Sequence, residues 1–380
     1  MLNNNFYFFK GRVALYAILK AIGVKKNDEI ILPGFTCVVV PNAIIYLGAK
    51  PVYVDINPDT FNIDVAKIEE KITKKTRAII AQHTFGIPAD MDKILKVAKK
   101  YNMFVIEDSC HALGAKYKDK EVGSFGDAAF FSSQWSKPLT TGLGGFAIIN
   151  NLELKERLNE IYPQFSSPSL KEVFLLRLQY LVYSKLFKPS RFWLIQDTYR
   201  KLSRFNITIG SSSNEELESK MTYGYEKKMS KWQRDMLEKK LVKIEKIIKY
   251  RKYLTSLYEE HLRQIGFKTV VLTKDYEPVF LRYPVMVKNK KKVLSEAKKR
   301  CVEIGDWFVS PIHPNLDRWE KVGYQKGTCP IAEEICEHII NLPTHDKISE
   351  TDALKIIDFV TNKIRGNTIP YHGRNQSVYR

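Results

Sequence analysis

Residues 103–150 read MFVIEDSCHALGAKYKDKEVGSFGDAAFFSSQWSKPLTTGLGGFAIIN, and two apolar runs in this stretch decide the fold. MFVIED is a short strand that ends in two carboxylates. DAAFFSS is a second strand, with Lys137 just beyond it in the turn SSQWSKP. Short continuous apolar runs are the mark of buried parallel strands, and ligands bind at the carboxyl ends of such strands. Asp108 and Lys137 are therefore expected at one rim of one sheet. A lysine and an aspartate converging there suit pyridoxal phosphate. The amine can condense with the cofactor's aldehyde, and the carboxylate can keep its ring nitrogen protonated, so that the ring accepts electrons.

Upstream, strands and helices alternate. GRVALYAILKAIGV (11–24) is apolar at helical spacing and ends at Gly23; the glycine at its start offers free backbone N–H groups to an anion. DEIILP (28–33), KPVYVDI (50–56) and TRAIIAQH (76–83) read as strands, VAKIEEKI and MDKILKVAKKY as helices, with Asp90 capping the second. His83 is expected to be structural. This alternation predicts right-handed βαβ units and a mainly parallel sheet.

The stretch from Gly11 to about Asn150, and again from Gly224 to about Thr361, resembles the DegT/DnrJ/EryC1/StrS aminotransferases. VIEDSCHALGA, VGSFGDAAFFS, the SK turn and GLGG recur in the family's order and spacing. The resemblance implies an α/β fold-type-I enzyme, with a large lobe (1–225) holding a mixed, mainly parallel sheet between helices. A long linking helix and a smaller C-terminal α+β lobe (226–366) would follow, then a polar tail (367–380). It implies pyridoxal 5'-phosphate on Lys137, Asp108 at the ring nitrogen, His111 near the ring's phenolic oxygen, and Ser132 with Gly11, Arg12 and Val13 at the phosphate. Cys37 takes a place against the ring that is commonly aromatic in the family. His313, in DWFVSPIHP, matches a substrate-side position. A family asparagine that crosses the dimer to the partner's phosphate is Glu226 here; Lys228 or Lys227 is the residue that would offset it. The implied activity is ping-pong transfer of an amino group from glutamate to a keto sugar on a nucleoside diphosphate, by a homodimer. Relatives with histidine in place of Lys137 are sugar dehydratases, so lysine favours transamination. A keto-cyclitol acceptor, and an inactive membrane-surface or regulatory relative, stay open as alternatives.

Residues 151–222 are least like the family. From Leu170 to Phe205 the chain is apolar and aromatic, with eight Lys/Arg against two acids. An inserted helical hairpin, packing on the dimer or capping the active site, is preferred here to an interfacial membrane helix. SKWQRDMLEKKLVKIEKIIKYRKYLTSLYEEHL reads as one long helix, FLRYPVMV as a strand, and Ser349 as the cap of the last helix.

The whole chain has 61 Lys+Arg against 42 Asp+Glu, net +19. That balance suits an anionic partner such as a phosphorylated substrate, or simply a lysine-rich background. The basic residues form no long block, which argues against nucleic acid. Five cysteines (Cys37, Cys110, Cys301, Cys329, Cys336) without a CxxC pair suit a reduced, cytoplasmic protein, and no metal site is expected. The start lacks the apolar core of a signal peptide, and no run is long enough for a transmembrane helix.

Overall fold

The computed structural model describes residues 5–204, 210, 212–267, 269–314 and 318–364; the tail expected at 367–380 lies outside them. A seven-stranded sheet carries the fold. Its strands are β1 (Asn5–Phe8), β2 (Glu29–Pro33), β3 (Lys50–Val54), β4 (Thr76–Gln82), β5 (Phe104–Asp108), β6 (Ala128–Ser132) and β7 (Gly145–Ile149), in the order β1-β7-β6-β5-β4-β2-β3. The five strands from β6 to β3 run parallel. β7 is antiparallel to both β6 and β1, so the sheet is mixed but mainly parallel, as expected.

The parallel strands are short and almost wholly buried, because helices cover the sheet. The first helix (Gly11–Ile22) buries nearly every residue and ends on Gly23, whose φ of 84° is a left-handed conformation that costs glycine little. Asp90 caps the helix Met91–Lys100 by accepting from the Lys93 amide, as read from the sequence. Ser349 caps Glu350–Ile364 in the same way, accepting from Asp352. Glu107 is buried and accepts from the amides of Gly123, Phe125 and Gly126. His83 Nδ1 accepts from the Ala89 amide, so its Nε2 donates to Glu107, a structural role.

Two expectations are corrected. VAKIEEKI is not an α-helix but two 3-10 turns, Val65–Lys67 and Glu69–Lys71. It buries only Ile68 fully, too little apolar face to hold a longer helix. The long helix after residue 230 is two helices, Lys231–Leu241 and Ile244–Gln264. Each buries its own residues, Gln233 and Leu237 in the first, Leu254, Tyr258 and Leu262 in the second.

Beyond them, Arg282–Met286 pairs antiparallel with Ile339–Pro343. A short parallel pairing sets Ile312–His313 against Thr36–Cys37. That pairing brings the C-terminal part of the chain to the carboxyl edge of the main sheet.

Candidate active site

The carboxyl ends of β4, β5 and β6 lie side by side, with Gln82 opposite Asp108 and Asp108 opposite Phe130. A cavity of about 820 Å³ opens over this edge. Lys137, Asp108, His111, Ser132, Gly11, Arg12, Cys37 and His313 all line it. Two residues named from the sequence do not. Val13 points into the core, and its amide donates to the Lys10 carbonyl. Lys228 donates to the Pro163 carbonyl and lies over the Tyr162 ring, outside the cavity of the single chain.

Lys137 sits in a turn that is closed by its own backbone. The Ser133 amide donates to Gly144, Thr141 donates to Ser133, and the Lys137 amide to Gln134. The Ser133 and Thr141 hydroxyls bond each other inside the turn at 2.8 Å. Lys137 Nζ lies 5.1 Å from the centre of the Trp307 ring. Burial pulls its amine below the ordinary lysine value, while Cys110, Asp108 and Cys37 pull it back up.

Asp108 is buried at the end of β5, and its carboxylate accepts from the Cys110 amide at 3.1 Å. Burial raises its pKa against that bond and against Lys137. A cationic ring nitrogen beside it would stabilise the charged form. His111 stacks on Trp307, with ring centres 5.4 Å apart. Burial, followed by the charges of Lys137, His313 and Arg282, holds its imidazole well below the ordinary value, so it is neutral near pH 7. Among the described residues its buried Nδ1 has no hydrogen-bond partner. A buried polar atom without a partner is costly, so this one calls for a polar ligand atom.

The start of the first helix is set close against the sheet. A Cβ on Gly145 would lie 2.3 Å from Gly11 Cα and 2.4 Å from its nitrogen. Ser132 lines the cavity beside Gly11, whose added Cβ would lie 3.1 Å from that of Ser132, so an anion at the helix N-terminus would meet both. A buried carboxylate, an unpartnered imidazole, a lysine and a helix N-terminus beside a serine together fit the parts of pyridoxal phosphate.

Several lining residues escaped the sequence reading. Gln82 accepts from Thr36 Oγ1 at 2.7 Å and donates to the Phe35 carbonyl, fixing the segment that carries Cys37. Its place at the end of an apolar run next to Asp108's strand was the available signal. Trp307 lies in DWFVSPIHP, the stretch already matched to the substrate side through His313, but nothing local showed that it packs on His111 and Lys137. The 170–204 segment does form two helices, Leu170–Leu186 and Phe192–Arg204, and it walls the cavity with Gln196 and Tyr199. Tyr183 Oη donates to the Trp135 carbonyl at 3.4 Å. Glu226, at the position the resemblance sets toward a partner's phosphate, is paired within this chain with Lys20 at 2.8 Å.

Residues 8–174 and 194–361 match the DegT/DnrJ/EryC1/StrS aminotransferase family. The chain belongs to that family. As a DegT-type enzyme it is a pyridoxal-phosphate-dependent transaminase. It is 46% identical over 147 residues to a GDP-perosamine synthase of Escherichia coli O157:H7, covering 39% of this chain and 40% of that one. Against a UDP-2-acetamido-2-deoxy-3-oxo-D-glucuronate aminotransferase of Pseudomonas aeruginosa it is 29% identical, over 91% of this chain and 82% of the other. A Streptococcus pneumoniae protein solved in its PLP form shares the fold, with a TM-score of 0.72 at 22% identity over 95% of this chain and 87% of that one.

Proposed function

We propose that this aminotransferase moves an amino group from glutamate to the keto group of a sugar carried on a nucleoside diphosphate, in two half-reactions, as a homodimer. The observation that carries the reading is that partly buried Lys137 and buried Asp108 line one cavity at the carboxyl ends of adjacent strands. The two curated relatives above, both named for nucleotide sugars, support the acceptor class. The net charge of +19 agrees with an anionic substrate.

Pyridoxal phosphate, when bound, supplies an aldehyde that exchanges amines and a ring that takes up electrons. Lys137 would hold that aldehyde through Nζ. Its lowered pKa keeps more of the amine neutral near pH 7, the form that can attack and accept a proton. Nζ, when free of the aldehyde, would be the base placed to move a proton. Asp108 would hold a proton on the ring nitrogen, and neutral His111 would meet the ring's oxygen through an imidazole nitrogen. The Gly11 and Arg12 amides and Ser132 would take the phosphate. Trp307, with its ring 5.1 Å from Lys137 Nζ, would limit water there, and His313, directly across from Cys37, would face the substrate side.

The test is a visible spectrum of the purified protein with added pyridoxal phosphate, before and after glutamate. A band of lysine-bound cofactor that glutamate abolishes, and a keto nucleotide sugar restores, is expected. Lys137→Ala should lack the band and lose turnover by about ten-thousandfold or more. Retained transamination in that variant sinks the assignment.

A further inference from the structure

The helix Leu170–Leu186 has two different faces. On the inner face Leu176 is buried with Phe9 and Leu143, and Tyr180 and Tyr183 pack on Trp135. On the outer face Leu170, Phe174, Leu178, Leu181, Val182 and Leu186 are each about half exposed or more, with Leu170 at 90%. Their spacing keeps them on one side of the helix. Leu194, on the following helix, is exposed as well. Other large apolar side chains exposed among the described residues are scattered over the fold. A helix apolar around its circumference normally has both faces covered, and a contiguous exposed apolar stripe marks a contact surface.

The exposed charges of the segment 170–191 itself have one sign. Lys171, Arg177, Lys185, Lys188 and Arg191 are all exposed. The single acid between residues 170 and 191, Glu172, is tied to Lys227 at 2.7 Å. The family match skips residues 175–193.

A second copy of the chain meeting the stripe across a two-fold axis would set like charges against like charges, with no acid in the patch to pair them. An anionic lipid surface answers both features. We propose that the 170–194 hairpin docks this enzyme on an anionic membrane. The helix lies in the interface, its leucines and Phe174 reach the acyl boundary, and the long basic side chains extend to the headgroups. No helix among the described residues is long and apolar enough to cross a membrane, so the contact is peripheral. The sequence reading preferred packing on the dimer or capping of the site to a membrane role; the two faces of one helix allow both capping and membrane contact.

The experiment is co-sedimentation of the full-length protein with phosphatidylcholine vesicles, with and without a quarter of phosphatidylglycerol. Binding to the anionic vesicles alone is expected, weakening as salt is raised. Arg177→Ala and Lys185→Ala should each lower partitioning roughly fivefold. The double variant Leu178→Glu/Leu181→Glu should lower it at least tenfold, with thermal unfolding and the light-scattering mass unchanged. Equal pelleting with both vesicle types, no pelleting, or full binding by the double variant overturns the proposal. So does a drop in mass of the double variant, which would make this face an interface between copies.

Discussion

Arg12, at the start of the first helix, donates a 2.6 Å hydrogen bond to the carboxylate of Glu216, and both side chains are buried. Glu216 also faces Lys10 at 3.5 Å, and Asn42 donates to its backbone carbonyl. The segment holding Glu216, a capping box of Ser213 with Glu216 itself, is thereby clamped beside the anion cradle. One carboxylate thus balances two cations next to where a phosphate would sit.

Removing that balance should cost the fold. Glu216→Gln leaves Arg12 buried without its counter-charge, and breaking a buried pair costs about 3 kcal/mol or more. Urea unfolding at pH 7 measures this; a loss under about 1 kcal/mol would show that water reaches Arg12.

The same pair sets an acid limb. Burial alone pushes the Glu216 carboxyl up, but Arg12 and then Lys10 outweigh it and hold it at about 2. An unfolded glutamate titrates near roughly 4.3. A depressed carboxyl pKa favours the fold above the unfolded value, and the benefit is lost as pH falls from about 4.3 toward 2. Wild type should lose about 3 kcal/mol more than Glu216→Gln across that window. Parallel acid-unfolding curves for the two proteins would refute the depressed value.

Asp108→Asn removes the group proposed to keep the ring nitrogen protonated. The cofactor should still bind, through Lys137 and the anion cradle, but the glutamate half-reaction should slow about a hundredfold or more. Stopped-flow loss of the lysine-bound cofactor band measures it, and an unchanged rate removes Asp108 from that role.

Gly145→Ala tests the anion cradle from below. The new Cβ would collide with the backbone of Gly11 and push the helix start away from Ser132. Overpacking of this kind costs about 1–3 kcal/mol, so cofactor affinity should fall roughly tenfold. Titration with pyridoxal phosphate reads the loss directly, and unaltered affinity would mean that the phosphate rests elsewhere.

The sequence by itself determined the parallel strands, the helix from Gly11 to Gly23, the caps at Asp90 and Ser349, and the meeting of Asp108, Ser132 and Lys137. Each of these follows from a local pattern: an apolar run that must be buried, a side chain that must satisfy a helix end, a lysine placed just past a strand's carboxyl end. VAKIEEKI shows the limit. Its residues favour a helix, but helix length is set by how much apolar face the neighbouring structure covers, and here only Ile68 is fully covered. Only the tertiary structure decided that Trp307 roofs Lys137, that Glu216 closes on Arg12 across 204 positions of chain, and which face of the 170–186 helix is left bare. Those contacts join segments far apart in the chain, and their partners are chosen by shape and charge after the layers have packed, so no local periodicity records them.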